Sequence, residues 1–153
     1  MRRIVLPFVL AVTSAIVPGC GDENEDPDAA RELWDRIHRS DYRKMARAPG
    51  YETRRPTRAP HGESVDIYVN AVLHDAYTSG KPLAAWPDGS LIVKDGFKGA
   101  GLSLVAAMEK RGGAWFWAEW DASGEASFSG QPKTCTGCHA SGSDFVRAFD
   151  LPR

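Results

Sequence analysis

Five residues near the carboxyl end, Cys135-Thr136-Gly137-Cys138-His139, constrain this chain more than any other segment. Two cysteines three positions apart lie on the same face of a helical turn, and a histidine follows directly. This spacing is the attachment signature of a c-type haem, whose vinyl groups form thioether bonds to the two thiols while the imidazole binds the iron. The sequence therefore predicts haem c held by Cys135 and Cys138, with His139 as the iron ligand.

Two other uses of a Cys-x-x-Cys pair are compatible with these residues. A redox dithiol of the thioredoxin type opens a helix after a strand in a βαβ unit, whereas Cys135 follows no parallel-sheet pattern. A structural zinc site needs four ligands, and the motif offers three, so His61 or His74 would have to be the fourth. Haem is favoured because the amino-terminal sequence predicts export to the compartment where haem c is attached.

The first 19 residues have the composition of a secretion signal. Two arginines precede an apolar run from Ile4 to Val17, which is shorter than the roughly 20 residues of a membrane-spanning helix. Pro18 and Gly19 follow, and then Cys20; a cysteine directly after a small residue indicates a lipoprotein cleavage site. Residues 1–19 are therefore predicted to be a lipoprotein signal peptide, with lipidation at Cys20. The alternative is an ordinary signal peptide cut nearby, which leaves Cys20 as a free thiol.

Residues 20–28 are predicted to be the lipid anchor and an acidic tether, because aspartate and glutamate dominate this segment. Residue 21 is glycine, so retention in the inner membrane is not signalled. We expect a lipoprotein of the outer membrane on its periplasmic side, with the lipid anchor as its membrane contact. The formal charge is −1, and loss of the two signal-peptide arginines lowers it to −3, which favours no nucleic-acid partner.

Hydrophobic periodicity predicts that residues 29–153 form one α+β domain. A helical pattern runs from Asp28, its predicted N-cap, to Arg47, and Pro49-Gly50 stops it. An arginine-rich loop at 51–62 offers cations for haem propionates, although a solvated face is the commoner role of such residues. Alternation predicts an antiparallel sheet with short flanking helices. Its strands are Val65–Val69, Ser90–Lys94, Leu102–Met108 and Ala114–Trp120, with a helix at Asn70–Ser79.

A hairpin-type turn at Arg111-Gly112-Gly113 leads into an unusually aromatic strand. Alternation places Trp115 and Trp117 on one face of that strand and Phe116 and Trp120 on the other. Both faces are therefore expected to be covered, by helix or by cofactor, with ordinary core packing as the role of most of these rings.

The sixth iron position decides between two functions. A methionine or a second histidine there gives an electron carrier, whereas an empty apolar pocket gives a ligand-binding or catalytic haem. Core packing is the expected role of Met108, since it lies on an alternating apolar strand. The candidates are Met45, Met108, His38, His61 and His74.

Over residues 60–150 the chain resembles the cytochrome P-460 and cytochrome c′-beta family. The haem motif alone is generic, but four stretches in this order and spacing are much more specific. They are Val65–Asn70, Trp86–Lys94, Ala107–Lys110 leading to Trp115–Trp117, and Cys135–Ala140 with Asp144–Val146. The resemblance implies an antiparallel sheet packed on one haem, a proximal histidine and an open or weakly filled distal side.

One branch of that family oxidises hydroxylamine, and the other binds nitric oxide and similar gases. In the oxidising branch a lysine at the position of Lys94 is cross-linked to the haem, which implies that role here, with a solvated lysine as the alternative. That branch also has a distal glutamate as proton acceptor, and its place falls near Val105-Ala106, which are apolar. By strand parity, Glu109 shares a face of its strand with Val105 and Ala107 and is displaced from the expected position of the glutamate. The base is therefore expected to be missing, with Phe97 or Leu104 in an apolar distal wall.

The expected function is an exported mono-haem protein that binds or converts nitric oxide, hydroxylamine or related small nitrogen species. If it is an enzyme, it is a haem oxidoreductase. The alternative is a membrane-tethered electron-transfer cytochrome with both axial positions filled, and a third reading is an interaction module with a purely structural haem. The expected partners are a small gaseous or nitrogenous ligand and a redox partner protein, and a homodimer is left open.

Overall fold

The computed structural model describes residues 23–58 and 60–153. The predicted signal peptide and the lipidation of Cys20 lie outside the described residues. No helix within the described ranges is both long enough and apolar enough to cross a membrane.

Seven strands in the described residues form one sheet, and the paired strands are antiparallel. Their order across the sheet is β1-β3-β4-β5-β6-β7, and β2 pairs with β3 beside β1. The strands are β1 (Ala46–Arg47), β2 (Arg55–Pro56), β3 (Ser64–Val69), β4 (Leu91–Lys98), β5 (Gly101–Arg111), β6 (Ala114–Asp121) and β7 (Ala126–Gly130). With three helices beside this sheet, the predicted α+β class is confirmed.

The first helix, α1 (Pro27–Arg39), is shorter than predicted, and its N-cap lies two residues earlier. Its N-cap is Asp26 rather than Asp28, because proline suits the first helical position and the Asp26 side chain accepts a hydrogen bond from the Ala29 amide at 3.0 Å. The predicted continuation to Arg47 is wrong. Asp41 adopts a left-handed φ of 51°, which ends the helical path and turns the chain into a 3₁₀ turn and then β1.

The sheet is covered on both faces. Helix α1 packs Leu33 and Ile37 against one face, where Phe116 and Trp120 lie. Helices α2 (Ala71–Thr78) and α3 (Lys133–His139) and the C-terminal segment lie on the other side of the molecule, with Trp115 and Trp117 in the second core. The predicted division of the four aromatic rings between the faces is confirmed.

The acidic segment before α1 makes ordered contacts from Glu23 onwards. The amide of Glu25 donates to the carbonyl of Ser129 on β7, and the amide of Ser129 donates to the carbonyl of Glu23, both at 3.1 Å. The Glu23 carboxylate also accepts hydrogen bonds from the amide and the hydroxyl of Thr134, in the first turn of α3. The segment predicted to be an acidic tether therefore contacts α3, the helix that carries the Cys-x-x-Cys-His motif, through Glu23.

Candidate cofactor site

The face of the sheet opposite α1 carries a row of three side chains with unlike chemistry. Lys94 on β4 lies opposite Ala106 on β5, which in turn lies opposite Glu119 on β6. Directly opposed residues of antiparallel strands project to the same side, so the three share one face. The next row on that face consists of Ile92, Met108 and Trp117. The result is an apolar floor with one amine and one carboxylate on it.

Helix α3 faces this floor across a cavity. Cys135, Cys138 and His139 line a first cavity of about 230 Å³ together with Lys94 and Glu119. A second cavity of about 520 Å³ adjoins it, shares Lys94, Cys138 and His139, and extends to residues 57, 58, 60 and 61 and to residues 146–148. The four residues that the sequence predicted to meet at a cofactor, Cys135, Cys138, His139 and Lys94, are thus brought together.

His139 is held as a neutral imidazole. Its Nδ1 lies 2.9 Å from the carbonyl oxygen of Phe145, which can only accept, so Nδ1 carries the proton and Nε2 keeps its lone pair. Burial lowers the pKa of His139 to about 4, and the hydrogen bond to Phe145 opposes that shift only in part. The ring packs edge-on against Trp117, with centroids 4.7 Å apart. A neutral ring with one nitrogen committed to a carbonyl is the form in which histidine binds metals.

The two cysteines of α3 are free thiols. Cys135 is half-buried, and burial raises the pKa of its thiol to about 11. Cys138 is exposed, and its sulfur accepts a hydrogen bond from the guanidinium of Arg147 at 3.1 Å. Two uncombined sulfurs one helical turn apart at a cavity wall are geometrically suited to two bonds to one flat partner.

The sequence predicted that Lys94 ends its strand. It lies instead in the middle of β4, which continues to Lys98. Its amine makes no hydrogen bond or ion pair with the described residues. Burial lowers the pKa of Lys94 to about 8, and the charge of Glu119 opposes this shift. The side chain therefore carries a larger fraction of neutral, nucleophilic amine at neutral pH than a solvated lysine does.

Sequence reasoning missed Glu119: it expected no acidic side chain in the distal wall, whereas this carboxylate lines the cavity. The Glu119 carboxylate lies on the cavity wall 2.8 Å from Nδ1 of His61, and the two side chains are 21% and 16% exposed. His61 is placed by a close approach to the sheet, since a Cβ at Gly96 would lie 2.2 Å from the His61 carbonyl oxygen. Glu109 lies on the other face, as parity predicted, and pairs with Arg36.

The prediction of Phe97 or Leu104 in the distal wall is also wrong. Among the described residues, those lining the two cavities include neither side chain. Phe97 lies under the guanidinium of Arg54, 3.3 Å from its ring centroid, because a bulge follows Gly96 and shifts the register. The side chain of Leu104 packs against Gly96. The apolar wall is formed instead by Ala106, Trp117 and Phe128.

Two of the five candidates for a sixth ligand lie at the site. Met108 and His61 line both cavities, and the His61 ring centroid is 6.3 Å from that of His139. Met45 packs on the opposite face of the sheet, and His38 lies on α1 against Trp34. His74 is half-exposed on α2 beside Asp75.

The predicted arginine-rich loop contributes Arg58 to the second cavity, which Arg147 also lines.

Within residues 23–58 and 60–153, no three His, Cys, Asp or Glu side chains are grouped so as to hold a metal ion by themselves. No protein-family model matches the chain, and no curated protein matches it.

Proposed function

We propose that this chain is an exported haem c protein, with thioether bonds at Cys135 and Cys138 and His139 as the proximal iron ligand. The observation that carries the proposal is the state of His139. Its Nδ1 is committed to the Phe145 carbonyl, its Nε2 is free, and its ring lies beside two free thiols at the wall of an apolar cavity. This combination is the requirement for a histidine-ligated, thioether-linked porphyrin.

The residues around α3 fit such a group. A porphyrin needs apolar walls for its faces, which Ile92, Met108 and Trp117 offer, and cations near its propionates, which Arg58 and Arg147 offer at the second cavity. When bound, the haem supplies an iron that takes up small uncharged ligands and exchanges electrons. Lys94 lines the same cavities, which supports the predicted cross-link.

Small nitrogen species are the substrate class that the chain's own side chains favour. The wall formed by Ala106, Trp117 and Phe128 suits uncharged molecules such as nitric oxide and hydroxylamine. Hydroxylamine oxidation releases protons, and Glu119 offers a carboxylate to accept them, with His61 holding it in place. We therefore propose conversion as well as binding, with the electrons of the oxidation taken up by the predicted redox partner protein, in keeping with the resemblance to the cytochrome P-460 and cytochrome c′-beta family.

The decisive experiment is expression in a host that exports the chain and attaches haem c, followed by absorption spectra. We expect a covalently held haem whose ferrous Soret band shifts promptly on addition of carbon monoxide or nitric oxide. Cys135→Ala and Cys138→Ala should lower the yield of covalent haem. Cys20→Ser is the matched control, since it removes the predicted lipid and should leave the spectrum unchanged. A colourless product from the unsubstituted chain would refute the proposal.

The alternative is a membrane-tethered electron carrier with both axial positions filled. It is favoured by the presence of Met108 and His61 at the same cavities as His139. In that case the ferrous protein should not bind carbon monoxide, and Met108→Leu or His61→Ala should abolish a low-spin spectrum and change the reduction potential. Prompt gas binding by the unsubstituted protein rules this alternative out.

A further inference from the structure

A four-residue turn after α3 contains two consecutive backbone conformations that residues with side chains avoid. Ser143 and Val146 exchange two backbone hydrogen bonds, and between them Asp144 and Phe145 have φ values of 48° and 64°. In the described part of the chain, Asp41 is the one other non-glycine residue with positive φ. The left-handed conformation is unfavourable for an L-residue, and two in succession persist only where surrounding contacts hold them.

The contacts that hold this turn converge on Asp144. Its carboxylate accepts two hydrogen bonds from the amine of Lys110, at 2.8 and 2.9 Å, and one from the amide of Trp86 at 2.9 Å. Its carbonyl accepts a hydrogen bond from the indole N–H of Trp115 at 2.8 Å. The Lys110 and Asp144 side chains are 5% and 13% exposed, so the ion pair is shielded from water.

The 143–146 turn places one backbone carbonyl, that of Phe145, next to His139. The carbonyl of Phe145 points at Nδ1 of His139 and accepts its proton at 2.9 Å. The turn is short and its backbone is fixed on both sides, so a change at Asp144 moves that carbonyl. Substituting Gly142 is also disfavoured, since a Cβ there would lie 2.5 Å from the Val146 carbonyl oxygen.

We propose that Lys110 and Asp144 are positioning residues for His139: they hold the 143–146 turn so that the Phe145 carbonyl fixes the Nδ1–H tautomer and directs Nε2 into the cavity. This inference rests on the proposed function, because it assigns His139 to iron. Its physical consequence is electronic as well as steric. A hydrogen bond from Nδ1 makes the imidazole a stronger electron donor to the metal that Nε2 binds, and so stabilises ferric over ferrous iron.

The test uses the exported holoprotein with Lys110→Met and Asp144→Ala. We expect both variants to lower the iron–histidine stretching frequency in ferrous resonance Raman spectra and to raise the midpoint potential. Asp144→Asn is the conservative variant, because asparagine tolerates left-handed backbone and its amide oxygen can still accept from Lys110. Its iron–histidine stretching frequency should lie much closer to that of the unsubstituted protein than the frequency of Asp144→Ala does. Unchanged frequency and potential in Lys110→Met and Asp144→Ala would overturn the inference.

The matched control is Asp66→Asn, which disturbs another shielded carboxylate, paired with Arg47 and Arg54 on the opposite face of the sheet. It should change stability and leave the stretching frequency as it was; a shift as large as that of Asp144→Ala would show general loosening and contradict the inference. Haem content is measured first, so that loss of haem from the unsubstituted chain counts against the proposed function alone.

A second measurement needs no substitution. In the full mature chain produced without haem, ¹⁵N spectra of the imidazole should show His139 neutral and protonated at Nδ1. Protonation at Nε2 would overturn the inference, whatever the haem content of the exported protein.

Discussion

Lys94 and Glu119 face one cavity from strands two apart, with the methyl group of Ala106 between them. Neighbouring strands lie about 4.8 Å apart, so the two backbones are separated by about 10 Å. This spacing leaves room for a small molecule over Ala106, with an amine at one side and a carboxylate at the other. A proton acceptor is therefore available at the apolar wall without filling the space in front of it.

Replacing Glu119 by glutamine separates ligand binding from conversion. The amide keeps the shape of the side chain but cannot accept a proton, so hydroxylamine oxidation by the haem-loaded protein should fall by roughly 10² to 10⁴-fold. Nitric oxide binding to the ferrous form should change little, because it transfers no proton. Steady-state oxidation and rapid-mixing binding measure the two effects.

Glu109→Gln is the control for that experiment, since Glu109 lies on the opposite face and pairs with Arg36. It should leave oxidation unaltered. Full oxidation by the Glu119→Gln protein would mean that the proton leaves by another route.

Lys94→Met should stabilise the haem-free chain at neutral pH. The folded-state pKa is about 8 against an ordinary 10.5, so the unfolded chain holds the proton more tightly and wild-type stability rises between pH 8 and 10.5. At pH 7 the buried ammonium therefore costs stability, and its removal should add about 3 kcal/mol to the free energy of unfolding. The gain should vanish above pH 10.5. Urea unfolding at pH 7 and pH 10.5 gives both values.

Lys98→Met, at the exposed end of the same strand, should change the free energy of unfolding by less than about 0.5 kcal/mol at either pH. Equal effects of the two substitutions would contradict the buried position of the Lys94 amine.

Gly96→Ala should displace His61 from Glu119. The new Cβ would lie 2.2 Å from the His61 carbonyl oxygen, so the loop must move, and we expect destabilisation of about 1–3 kcal/mol. The His61 imidazole ¹⁵N signals should report loss of its bond to Glu119. Gly101→Ala is the control, because the nearest atom to its Cβ would be at 3.7 Å, an ordinary contact. An unmoved His61 signal in Gly96→Ala would show that the close approach does not place this loop.

Local pattern was enough to predict the strands and the helical turn that carry the predicted site. Alternation located Lys94 on β4 and separated Trp117 from Phe116 on β6, because a side chain's face depends only on parity along its own strand. The spacing of Cys135 and Cys138 likewise depends on one helical turn. These features need no knowledge of the rest of the fold.

Glu119 was missed because its place depends on register between strands. The signal was present, since Gly112 and Gly113 form a two-residue turn, and counting back equally from both sides pairs Ala106 with Glu119. The carboxylate that was sought along β5 is therefore on β6. The end of α1 was missed for another reason. Tyr42 continues the helical spacing but is buried in the core from a separate turn, which Asp41 makes possible.

The intact mass of the exported Cys20→Ser protein under denaturing conditions tests the central claim most directly. We predict the mass of the polypeptide, which keeps its signal peptide because lipoprotein cleavage requires the Cys20 thiol, plus one haem, with no thiol at Cys135 or Cys138 available to an alkylating reagent. The mass of the bare chain, with both thiols alkylated, from a host that attaches haem c to its own cytochromes would contradict it.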